Sequence, residues 1–159
     1  MGDILDCARG KEEWATGPTG GFMPQSLADG MNDVREQVPA DAADNGMHAW
    51  HAGSNAMLAE KLGIVGAPLI FAGGLYHESP LDWGSFTAEE EFQGAVNHAA
   101  DSSMDIVSNV TGMGIGYFDN SGNAVKNAIE VGNKIPGPGD PDPAFGGGGA
   151  YQGHPSKAW

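Results

Sequence analysis

The sequence predicts an all-α fold, a small helical bundle of about four to five helices with irregular Gly/Pro-rich N- and C-terminal segments. Three observations carry this. Residues in the middle of the chain recur at helical spacing, as in "WHAGSNAMLAEKLG", where His51, Asn55, Leu58 and Leu62 share one face. No stretch of any length alternates apolar and polar residues as a half-buried strand would. The 26 glycines and 10 prolines thin out in the centre and gather towards both ends. At 159 residues the length suits one domain with one core. We therefore expect an irregular N-terminal segment over residues 1–28, a helical domain over 29–134 and an extended Gly/Pro-rich arm over 135–159.

Taken in order, turn-forming "TGPTGGFMP" marks the irregular N-terminal segment. "SLADGMNDVREQV" reads as a short helix stopped by Pro39. Asp41 or Asp44 can cap the next helix, which runs to a stop at Gly63. "IVGAPLIFAGGLYHE" is nearly free of charge, which predicts an apolar helix and the most buried element, with Pro68 in its first turn or at a kink. After the loop "SPLDWGS", Thr87 and Glu90 stand at capping-box spacing before a long helix that can run to about Gly112. "FDNSGN" is a turn and "AVKNAIEVGNK" a last short helix. Beyond Ile135, "PGPGDPDPAFGGGGAYQGHPSKAW" suits neither helix nor strand, because its prolines remove donors and its glycines are entropically costly to order. On its own in water such an arm should be disordered. Phe145, Tyr151 and Trp159 are the anchors it would use to bind other protein subunits.

Composition excludes some functions. The formal charge is -14, from 21 acidic residues against 7 basic ones. With no basic patch to displace counterions, binding to nucleic acid through a phosphate footprint is not expected. Anionic membranes are disfavoured for the same reason. The longest apolar run, "GIVGAPLIFAGGLY", is too short and too rich in glycine to span a bilayer. The single cysteine, Cys7, leaves no internal disulfide framework and no multi-thiolate zinc site. The opening "MGDILDCARGKEEW" has no basic region followed by a long apolar one, so no signal peptide is expected.

Three polar sets can carry chemistry. His51 lies with Asn55, and His48 precedes them by about one turn. His77 and Glu78 follow the apolar helix. His98, Asp101, Asp105 and Asn109 form one stripe of the long helix. Imidazoles and carboxylates in this combination could build a divalent-metal site or an acid–base pair. "HESPL" has no second histidine where a zincin motif requires one. Each set also has a plainer reading. Phe92, Val96, Ala99, Val107 and Val110 lie about 130° from the polar stripe, at about 100° per residue, so a solvated face accounts for His98 and Asp101. A helix C-terminus entering a loop accounts equally for His77 and Glu78. His51 and Asn55 run in line with Leu58 and Leu62, which turns them inward and demands partners.

The segments "GMHAWHAGSNAMLAEKLG", "HE" and "MDIVSNVTG" resemble an uncharacterised family of helical domains in bacterial and phage proteins. Its pattern runs, roughly, D-x-x-R-H-A-x-W-x-A-L-L, then H-E, then M-D-x-x-N-N-x-x-G. The resemblance spans Gly46 to Gly112. His51 and Ala52 match H-A, His77 and Glu78 match H-E, and Met104, Asp105, Asn109 and Gly112 match the last segment. Met47 stands where the pattern has Asp, Trp50 where it has Arg, and Ser108 where it has the first Asn. An Asp–Arg–His site would have lost both charged members. His51, Glu78, Asp105 and Asn109 could still close a hydrogen-bond network between helices.

Two functions follow as expectations. The first is a non-enzymatic structural component of a larger assembly, without a cofactor, docking through its termini onto other subunits. The resemblance implies a virion or tail setting for it; otherwise the cytoplasm is expected. The second is a metal-dependent hydrolase acting on cell wall or another polymer, with His51, His77, Glu78, Asp105 and Asn109 as its catalytic groups.

Overall fold

The computed structural model describes residues 6, 8–13, 15, 23–42, 47–77 and 91–135, the side chains of 76, 77 and 91–101 excepted. Among the described residues five helices are delimited: α1 (Gln25–Gln37), α2 (Met47–Leu62), α3 (Ala67–His77), α4 (Glu91–Phe118) and α5 (Ala124–Gly132). A 3-10 turn over Ile64–Gly66 leads into α3. The described residues contain no strand, and the fold is all-α. No single helix among them is long and apolar enough to cross a membrane.

α1 begins at Gln25, inside the segment expected to be irregular, and ends where Val38 turns extended ahead of Pro39. The Glu12 carboxylate accepts a hydrogen bond from the Ser26 backbone N–H at 2.9 Å, serving an otherwise orphaned helix donor. Hydrogen bonding by Ser26, its side chain before its backbone N–H, holds the Glu12 carboxyl below its ordinary range. Leu27, Met31 and Val34 form the buried face of α1.

Small side chains decide which helix lies innermost. In α2, every residue except Met47, Glu60 and Lys61 is buried, because α1, α4 and α5 all pack on it. Its Ala52 and Ala56 meet Gly112 and Gly116 of α4 so closely that a Cβ on either glycine would collide with a main-chain carbonyl of α2. α4 therefore runs through Gly112 to Phe118, past the expected end. The glycine there acts as a contact surface and not as a stop. The larger side chains, Trp50, Met57, Leu58 and Leu62, join Leu27, Met31 and Val34 of α1, Ile70 of α3 and Ile129 of α5 in the apolar core. Trp50 donates its indole N–H to the Met31 carbonyl at 3.2 Å.

Gly63 stops α2 as expected. Its φ of 63° with ψ of -178° is a conformation essentially reserved for glycine, and the chain bends there by 118°. The apolar helix that follows is not the most buried element. Among the described side chains of α3 and its leading turn, residues 64–75, Gly66 and Ile70 are buried, while Ile64, Val65, Leu69, Phe71 and Leu75 are exposed. Low charge predicts burial only where other elements exist to cover the helix, and here the described neighbours reach one narrow side.

Between α4 and α5, Asp119 accepts the Ser121 backbone N–H at 2.7 Å and the Asn127 side-chain amide. Hydrogen bonding by the Ser121 side chain, then by its backbone N–H and by Asn127, holds the Asp119 carboxyl below its ordinary value of 3.8. Asp41 is described; Asp44, Thr87 and Glu90, expected to cap helices, lie outside the described residues.

Candidate functional site

About two turns of α2 place His48, His51 and Asn55 on the same side, at i, i+3 and i+7. That side faces α4, which presents Asp105 and Asn109 at i and i+4. All five are buried. The sequence-based apolar stripe of α4 is thus inverted in this part of the helix: Val107 and Val110 are half exposed while Asp105 and Asn109 point inward. The reason lies across the interface. The imidazoles on α2 require polar partners, and Ser108, Gly112 and Gly116 on the same side of α4 allow the close approach that brings them within reach.

The geometry is that of two rings on one carboxylate. His48 Nε2 lies 3.5 Å and His51 Nε2 3.6 Å from the same Asp105 oxygen, Oδ1. His51 Nδ1 is 3.0 Å from Asn109 Oδ1, which also accepts the Asn55 amide at 2.7 Å. The same Asn55 amide donates to the His51 carbonyl at 2.9 Å. His48 Nδ1 is 3.1 Å from the Ile135 carbonyl, just beyond α5. An edge contact between the Trp50 and His51 rings, centroids 5.0 Å apart, fixes the second imidazole from its other side.

These partners assign the protons. The Ile135 and Asn109 oxygens are acceptors, so both Nδ1 atoms carry hydrogen. Both Nε2 atoms then face one carboxylate oxygen at ion-pair distance, and the set ties α2, α4 and the chain after α5 together.

His51, Asp105 and Asn109 are brought together as the sequence suggested. His48, read there only as a neighbour one turn away, is a full member, and its spacing from His51 already carried that signal. The Ile135 carbonyl left no signal, since any residue type supplies one. The side chain of His77 and the whole of Glu78 lie outside the described residues, as do the side chains of His98 and Asp101 and the proposed anchors Phe145, Tyr151 and Trp159. Among the described residues no three His, Cys, Asp or Glu side chains are arranged to hold a metal ion.

Trp50, Met47 and Ser108 each have a local role. Trp50 fills the core, Met47 Sδ takes a weak contact from Arg35 Nη1 at 3.7 Å, and Ser108 Oγ donates to the Met104 carbonyl at 2.9 Å. No protein-family model, no curated protein and no solved structure matches the chain.

Proposed function

We propose that this chain is a non-enzymatic structural component of a larger assembly, set in a virion or tail, and that its C-terminal arm docks on neighbouring subunits. One observation carries the reading. Among the described residues, His48, His51, Asn55, Asp105 and Asn109 are buried and face one another, main-chain carbonyls or the adjoining helix. That is the arrangement of a lock between helices, in which partly removing the set costs more than the set's net worth. The exposed apolar surface of α3 adds a face suited to protein contacts.

The second reading is a metal-dependent hydrolase using His51, His77, Glu78, Asp105 and Asn109. Two imidazoles on one carboxylate oxygen are the observation in its favour. The two readings separate in one preparation. Light scattering of the purified full chain should show a multimer, and elemental analysis after dialysis should show no divalent ion in stoichiometric amount. A monomer retaining one ion per chain would reverse the choice.

A further inference from the structure

We infer that α3 is a hinged lid over the polar cluster between α2 and α4. It swings about Gly63 as an intact helix and bares Asn109 and His51 while the bundle stays folded. The inference concerns access to the cluster and stands apart from the assembly reading.

The lid covers the cluster where its two helices join. α2 and α4 share a direction, since His48 faces Asp105 and, further along both, Ala52 meets Gly112 and Ala56 meets Gly116. The chain bends by 118° after Leu62 and carries α3 back across them, so that Gly74 rests on the Asn109 side chain. A Cβ on Gly74 would stand 3.0 Å from the Asn109 amide nitrogen, which leaves no room for water between them. Asn109 is the residue of α4 that holds both His51 and Asn55.

The lid is lightly held. Ile70 is the one described side chain of α3 that is buried, and its neighbours on that face, Ala67 and Gly74, have little or no side chain to pack. α2, by contrast, is buried along nearly its whole length. An element that gives the core one large side chain opens at a fraction of the free energy of global unfolding. Leu69, Phe71 and Leu75 already lie in water, so opening exposes little further apolar surface.

The hinge is built in. Gly63, at φ 63° and ψ -178°, has a torsional freedom that other residue types lack there. Its N–H closes α2 on the Ala59 carbonyl at 2.9 Å, and its own carbonyl accepts the Gly66 N–H at 2.9 Å. Rotation about φ and ψ of Gly63 keeps both bonds, because one ends at its nitrogen and the other begins at its carbonyl. The thirteen residues 78–90 between α3 and α4 have a contour of about 40 Å, at about 3.3 Å each, against a helix width of about 10 Å. The covalent link is long enough for the movement.

Spin labels on the full chain with Cys7→Ser test it. One pair, Leu75→Cys on α3 with Val131→Cys on α5, reads the lid; a second, Val110→Cys with Val131→Cys, reads the bundle. Pulsed electron resonance should give the lid pair a longer separation beside the closed one. Ile70→Ala should raise that longer population about tenfold, since part of one side chain's burial is removed from the closed form. Gly63→Ala, strained at positive φ in the closed bend, should act in the same direction. The bundle pair should keep one separation throughout. Diethyl pyrocarbonate, mapped by mass spectrometry, should acylate His51 faster in Ile70→Ala by a similar factor. That rate should vary weakly with urea below the unfolding transition, as local opening does. One narrow separation that neither variant moves would overturn the lid. A lid that moves while His51 stays unreactive would remove its control of access, and a His51 rate that climbs steeply with urea would assign the exposure to global unfolding. Either of these also contradicts the inference.

Discussion

The interface between α2 and α4 and the outer face of α3 invert the usual relation of polarity to burial. The first is rich in histidine, asparagine, aspartate and serine, and it is buried. The second is built of isoleucine, valine, leucine and phenylalanine, and it is open. Burial here follows from what can be packed and paired. Alanines facing glycines bring two backbones close enough for a polar cluster to close on itself, while among the described side chains of α3 Ile70 alone is buried.

The contrast can be broken most severely at Gly112. Gly112→Val should cost about 3 kcal/mol or more, because its Cβ would enter the space of the Ala52 carbonyl and neither backbone can yield. Urea unfolding measures it; a loss below about 1 kcal/mol would mean that the helices separate easily. His51→Ala comes next, at about 1–3 kcal/mol, since Asn109 and Asp105 lose a buried partner. An unchanged melting temperature would place His51 in solvent. Leu69→Asp on the open face should leave stability within about 0.5 kcal/mol, as expected of an exposed site, even though it removes a leucine.

The smallest effect concerns acid. Asp119 has its folded value depressed, so its contribution is present above the ordinary value of 3.8 and is lost as pH falls through the depressed one. Asp119→Asn should therefore lose a small stability at neutral pH and flatten the acid limb, so that the variant and the wild type converge as pH falls through the depressed value. An acid limb identical to wild type would show that the turn before α5 gives Asp119 no net advantage when folded.

Much of the fold was legible in the sequence. Pro39 and Gly63 ended helices through their own backbone chemistry, and the period of α2 announced His51 and Asn55 as inward-facing. What misled was reading each helix by itself. Gly112 looked like a terminator because a glycine is one when nothing packs on it; Ala52 and Ala56, far away in sequence, make it a contact. Val107 and Val110 looked like the core face because the two histidines that claim the opposite face sit on another helix. The low charge of α3 spoke for burial, yet hydropathy does not say whether a cover lies within the same bundle. The Ile135 carbonyl was invisible for a simpler reason: a main-chain acceptor has no residue-specific signature.

The central claim, that the buried histidines and Asp105 act as one lock between α2 and α4, is tested most directly by a double-mutant cycle. Unfolding free energies of His51→Ala, Asp105→Ala and the double variant, measured in urea at neutral pH, give the coupling between the two positions. The account predicts a coupling of about 0.5–3 kcal/mol, the double variant losing less than the sum of the single losses. Strictly additive losses would contradict it, because two groups that do not sense each other cannot be parts of one lock.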